Sequence, residues 1–215
     1  MENPIAAVVV LLITFVALIA AIVIGIVVLR RSEGITSKKK TKVVDKMPDD
    51  EHKGRDSIIH MLSRYASMHE YQVVHPANLT GVHGTTDLDV LLVGWFGILG
   101  VKCLGYGGSI YGDPNDEQWV QELQGKRRTF QNPMTRAQKS GLVIRDVLFK
   151  AGMKRIPVET VVVFTNKSAQ LMLPRSTGHY TEKTFAAYLK TLHFEEDKDV
   201  QVEPVAKLMR ENSAK

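Results

Sequence analysis

The stretch TTDLDVLLVGWFGILGVKCLGYGGSIYGD, Thr85–Asp113, decides how this chain is read. It opens with two carboxylates two residues apart, Asp87 and Asp89. Residues two apart on a strand share a face, so both acids can aim at one point. Such a pair suits a divalent metal, which prefers oxygen ligands. Leu88–Val93 and Gly97–Leu104 then read as two strands of a hairpin or meander, with glycines and Trp95-Phe96 between them. Cys103 alternates away from Lys102, which predicts that it faces the opposite layer as a small apolar residue. Ile110-Tyr111 reads as a short edge strand.

Upstream, structure is expected from about Gly54. The segment RDSIIHMLSRYASM places Ile58, Ile59, Leu62, Tyr65 and Ala66 at helical spacing. Tyr71–Val74 is a short β-prone run. Downstream, Asp113-Pro114-Asn115-Asp116 is a turn by composition. Gln118–Phe130 fits neither period, although Trp119 is its expected buried anchor. Asn132-Pro133 opens a helix, since proline suits the first helical position. Ala137, Leu142, Ile144, Val147 and Leu148 form its expected core face, and Gly152 ends it. Val158–Phe164 is nearly continuous and β-branched, as a strand buried on both faces should be. Leu171–Leu173 is a short strand and Thr181–Leu192 a last helix, followed by a partly ordered tail over 201–215. The order predicts an α/β domain over residues 53–200, a mixed central sheet flanked by helices.

The N-terminus is of another kind. From Ile5 to Leu29 the chain is apolar or small and carries no charge. A bilayer core needs about 20 such residues, so residues 1–30 read as one transmembrane helix. The flank MENP has no Lys or Arg, and the run is too long for a signal peptide. Residues 31–52 read as a basic juxtamembrane linker. Arg30, Arg31, Lys38, Lys39, Lys40, Lys42 and Lys46 place the C-terminal side in the cytosol and the N-terminus outside. They can also attract anionic lipid head groups. One cysteine in 215 residues allows no intramolecular disulfide and fits a reducing compartment.

The net charge of +5 has the sign that nucleic-acid binding requires. However, the seven cations between residues 30 and 46 meet only Glu33 and Asp45 there, so the basicity sits beside the membrane. The rest of the chain is close to neutral, and bulk charge does not argue for a DNA-binding surface. Lys126, Arg127 and Arg128 form a local cluster that reads first as a solvated face. His60, His75 and His83 lack metal-ligand spacing. Gly105, Gly107 and Gly108 are not a phosphate loop, because no Lys-Ser/Thr follows and no helix opens.

Taken in order, these segments resemble the nuclease-related domain (NERD), a branch of the restriction-endonuclease-like PD-(D/E)xK folds. Thr85-Thr86-Asp87-Leu88-Asp89 is similar to its first acidic element, with Asp89 at the family aspartate. Gly97-Ile98 resembles the opening of its second strand. Tyr106, Gly108 and Ile110-Tyr111-Gly112-Asp113 resemble its Gly-rich turn. Trp119, Phe130-Gln131-Asn132-Pro133 and Pro157–Asn166 resemble its later elements, so the likeness runs from about Gly54 to Leu173. It implies a phosphodiester hydrolase holding Mg²⁺ between two carboxylates, with a lysine stabilising charge in the transition state.

The central strand departs from that pattern. Counted from Asp89 without a gap, Lys102 falls where the family has Glu and Leu104 where it has Lys. A two-residue shift would put Gly100 in the place of Glu. Arg136 holds the place of a family Gln, with Gln138 two residues later. A lysine in a cation's place repels it by on the order of 4 kcal/mol at about 4 Å and an effective dielectric of about 20. Two readings follow. In one the site is eroded, Lys102 pairs with Asp87 or Asp89, and the chain is a membrane-anchored module binding nucleic acid or a protein. In the other it is an active Mg²⁺-dependent nuclease with a migrated site. Asp87 and Asp89 then hold the metal, while Asp56 on the first helix and Lys102 complete the catalytic set.

Overall fold

The computed structural model describes residues 51–174 and 178–213. The predicted membrane helix over 1–30 and the basic segment up to residue 50 lie outside the described residues. Among the described residues no helix is long and apolar enough to cross a membrane.

Helix α1, Glu51–His69, opens the domain and takes in residues 51 and 52, which the sequence reading assigned to the linker. Strand β1, Gln72–Val74, pairs antiparallel with β4, Val90–Gly94. A two-residue turn, Trp95-Phe96, joins β4 to the antiparallel β5, Gly97–Leu104. Gly97 has φ +122, and a Cβ there would lie 2.4 Å from the Pro157 carbonyl oxygen, so no other residue fits this turn. β5 pairs parallel with β9, Val158–Phe164, which pairs parallel with β11, His179–Thr181. The result is a mixed five-stranded sheet in the order β1-β4-β5-β9-β11.

Both faces of that sheet are covered. Alternation along β4 sends Val90 and Leu92 to one side, against Ile58 and Leu62 of α1, Phe185 of α3 (Glu182–Tyr188) and Phe194. It sends Leu91 and Val93 to the other, against Val143, Ile144 and Val147 of α2 (Pro133–Lys150). Helix α4, Val202–Asn212, joins this second layer through Val205, Ala206 and Met209. Residues 202–212, read from sequence as tail, are therefore part of the core. Pro204 lies in the first turn of α4, where its missing N–H has no partner to lose.

A second sheet, in the order β10-β6-β7-β8, was not expected from the sequence, although two of its strands were read near Ile110-Tyr111 and Leu171–Leu173. It contains β6, Ser109–Tyr111, β7, Gln118–Leu123, β8, Lys126–Gln131, and β10, Gln170–Met172. Ile110, Trp119 and Phe130 pack from it onto Leu104, Phe164 and Met134. The ambiguous segment 118–130 is thus a hairpin, and β6 is flanked on both sides rather than lying at an edge. A small hairpin, β2 (Thr80–Gly81) with β3 (Gly84–Thr85), leads into Asp87.

Candidate functional site

Asp89 lies one residue before β4. Val90 is opposite Val101, so continuing the register by one pair sets Asp89 opposite Lys102. Asp89 donates its N–H to the Val101 carbonyl (2.9 Å), and its Oδ2 accepts from the Cys103 N–H at 2.7 Å. His75 Nδ1 lies 3.0 Å from the Asp89 carbonyl oxygen. These contacts hold the carboxylate against β5 beside the one charged side chain of that strand. Cys103 itself is buried in the opposite layer, as its alternation predicts.

Asp87 is placed from the other side of the cleft. Its N–H donates to Ser140 Oγ of α2 at 2.8 Å, and that hydroxyl donates to the Arg136 carbonyl at 3.0 Å. Ser140 is 1 % exposed, so this bond is shielded from water. The buried Thr86 accepts from the Leu79 N–H and donates to the Ala77 carbonyl, which locks the approach to Asp87. Further back, His83 donates its N–H to Asp146 at 3.0 Å and sets its ring on the same carboxylate. The bonds from His83 hold the Asp146 pKa below the usual range.

The acids and the lysine meet. Lys102 Nζ donates to Asp87 Oδ1 at 2.8 Å and lies 3.6 Å from Asp89 Oδ2. The side chains of Lys102 and Asp89 are each 13 % exposed, that of Asp87 43 %. Arg136 approaches Asp87 Oδ2 at 3.7 Å, while its Nε donates to Gln131 at 3.0 Å. Leu104, on the same face of β5 as Lys102, lines the cleft, and so does Tyr106, which stacks on Phe130 at 4.5 Å. The cleft has a volume of about 40 Å³, room for no more than a few water molecules. Asp56 is not brought to it. It projects from α1, 69 % exposed, with Arg55 as its ion-pair partner at 3.6 Å.

The cleft's far wall is one linked unit. The buried Asn132 caps α2 by accepting from the Met134 N–H. Its amide donates to the Pro114 and Asp116 carbonyls at 2.9 and 2.8 Å. Trp119 Nε1 donates to the Asp113 carbonyl at 2.9 Å, and a Cβ on Gly112 would lie 2.3 Å from the indole. The Tyr-Gly-Asp turn, the Trp and the Asn-Pro step thus form one joint that positions Pro133 and Arg136. Ser140, Thr86 and Gln131 are the functional neighbours that sequence reasoning missed. Ser140 meets Asp87 from 53 residues away, whereas Gln131 and Thr86 find their partners within five to nine residues, in turns that carry no recognisable sequence pattern.

Among the described residues no group of three or more His, Cys, Asp or Glu side chains is placed to hold a metal ion. No curated protein and no solved structure matches the chain. The family model described as "Nuclease-related domain", NERD, matches residues 51–165, more than half of the chain, and those residues contain the whole cleft. A nuclease of this kind depends on a metal when active. The chain belongs to the nuclease-related domain family.

Proposed function

We propose that this chain is a membrane-anchored, cytosol-facing NERD protein of restriction-endonuclease-like fold, which binds nucleic acid along the rim of its cleft without cutting it. The carrying observation is Lys102, whose ammonium stands between Asp87 and Asp89 at 2.8 and 3.6 Å. A Mg²⁺ ion would need those same oxygens at about 2.1 Å and would face the ammonium a few ångströms away. The other oxygen of Asp87 already faces Arg136. This donor set does not fit a divalent cation.

The rim supports binding of a polyanion. Lys126 and Arg128 alternate onto the side of β8 that carries Phe130, whose ring lines the cleft. Both are exposed and have no ion pair among the described residues, whereas Arg127 pairs with Glu122 at 2.8 Å. Together with Arg136 they extend a cationic edge away from the cleft, the pattern that contacts phosphates without reading bases. Anchoring rests on the apolar run Ile5–Leu29 and the seven Lys/Arg that follow it.

The test uses the full chain in liposomes with single- and double-stranded DNA and RNA. With Mg²⁺ or Mn²⁺, cleavage should not exceed that of Asp89→Ala. Binding should weaken steeply with salt and fall in Lys126→Gln/Arg128→Gln. Metal-dependent cleavage abolished by Asp89→Ala would instead establish the nuclease reading. No binding at low salt would leave a protein as the partner.

A further inference from the structure

A second groove, of about 330 Å³, lies between α1 and α3, away from the Lys102 cleft. Its α1 wall follows helical spacing, with Met61, Tyr65 and Met68 facing Ala186 and Leu189 across the gap. Met68 is 64 % exposed and contributes to the apolar lining of the groove. Arg64 and Lys190 stand at the rim, and neither has an ion pair among the described residues. No Asp or Glu lines the groove. Two acids outside the lining act on residues of the groove. Glu182 accepts from Ser57 at 2.7 Å, and the charge of Glu195 is felt by Tyr65.

We infer that this groove docks on the surface of an anionic bilayer, with its methionines at the headgroup boundary and Arg64 and Lys190 on lipid phosphates. The inference rests on the membrane-anchor reading given above. Charge favours this occupant, and chain length permits it. Flexible, polarisable methionines adapt to a fluid apolar surface, and cations beside an apolar face suit anionic lipid. The apolar run ends at Leu29, and Arg30–Asp50 leads directly into the helix that carries the groove. Those 21 residues span at most about 70 Å, and the 19-residue α1 is about 28 Å long. The groove is therefore within the reach of the tether. Tethering makes docking intramolecular, at an effective concentration of about millimolar, so weak intrinsic contacts suffice.

The experiment uses the full chain carrying Met68→Cys on a Cys103→Ala background, labelled with an environment-sensitive fluorophore. It is reconstituted into phosphatidylcholine vesicles containing a nitroxide lipid, with or without phosphatidylglycerol. The label should be quenched with phosphatidylglycerol and unquenched without it. Arg64→Gln/Lys190→Gln should weaken docking roughly 25-fold, about fivefold per cation. A label at Phe149→Cys, exposed on α2, should stay unquenched in both. In the unmodified chain, peroxide oxidation of Met68 should slow only on phosphatidylglycerol, which gives a reading independent of the cysteine variants. A chain that floats with the vesicles yet shows neither quenching nor protection overturns the docking and leaves the anchor standing. A chain that does not float with neutral vesicles overturns the anchor, and the docking with it. Disulfide cross-links between Met68→Cys copies without quenching assign the groove to a second copy and overturn the proposal as well.

Discussion

Replacing Lys102 by Met removes the cation but keeps most of the side chain's length. Asp89 then remains 13 % exposed, with the Cys103 N–H as the partner of its Oδ2. Asp87 keeps the more distant Arg136. Two carboxylates about 5 Å apart at an effective dielectric of about 20 repel by roughly 3 kcal/mol. Removing one partner of a fully buried pair costs about 3–5 kcal/mol. Asp87 is 43 % exposed, so water screens part of this. The expected loss is about 2–3 kcal/mol, or a Tm lower by roughly 5–10 °C for a domain of this size. Lys102→Glu should fall further in EDTA, because a third carboxylate joins the first two. It should then regain about 2.7 kcal/mol when Mg²⁺ reaches a hundred times its Kd. Thermal unfolding followed by circular dichroism, with EDTA or MgCl₂, reads both. The reasoning is refuted if Lys102→Met leaves Tm unchanged, or if Mg²⁺ stabilises the unaltered chain as much as Lys102→Glu.

Three further outcomes follow from the packing. Asn132→Ala should lose about 2–4 kcal/mol in urea unfolding, because it removes a helix cap and leaves the buried Pro114 and Asp116 carbonyls unpartnered; full recovery in Asn132→Ser would mean that the cap alone matters. Gly54→Ala should cost about 2 kcal/mol despite the better helix propensity of alanine. Its Cβ would lie 2.1 Å from Thr165 Oγ1, and a stability gain would show that α1 can move off β9. His179, 9 % exposed in β11, has a pKa lowered by burial. The folded chain therefore holds it neutral while the unfolded chain takes up a proton near pH 6.5. Its contribution to stability is complete above that pH and is lost as pH falls toward the folded pKa, at up to about 1.4 kcal/mol per unit. His179→Gln should flatten this slope, and parallel slopes in both chains would place the proton elsewhere.

What the sequence made legible depended on how local the governing force was. β5 and β9 were read with the bounds they have, because nearly continuous apolar runs, broken only by Lys102 in β5 and Glu159-Thr160 in β9 and ended by glycine or polar residues, leave little choice. The start of α2 was legible from Asn132-Pro133, a cap and a first-turn proline in succession. Its core face was read less well. Leu142, expected inside, is 42 % exposed, whereas Ser140 and Gly141 are buried. A Cβ on Gly141 would come within 3.3 Å of the Thr160 methyl, so small residues mark where α2 approaches β9. A hydrophobicity pattern cannot register a face chosen for closeness. The β7–β8 hairpin was hidden for a related reason. Lys126, Arg127 and Arg128 lie on an edge strand whose outer positions meet water, and only Trp119 and Phe130 report its buried side.

The cleft shows how one lysine can hold two carboxylates together. Period-two counting expected Asp87 and Asp89 on one face of a strand, but both lie before β4 and meet at Lys102 through contacts to Ser140 and Cys103 instead of strand alternation. It could not show that the same ammonium joins separate parts of the fold. Through Asp89 it holds the segment before β4 against β5, and through Asp87 it reaches Ser140 and hence α2. A metal between two carboxylates ties such segments together from its own coordination. When that ion is given up, the acids repel and the joint opens unless another cation takes its place. Lysine on the facing strand does so without an exogenous ligand, at the distances observed. On this argument a glutamate at position 102 would need a metal ion to hold the same joint. Lys102→Glu should therefore make the stability of the chain depend on Mg²⁺.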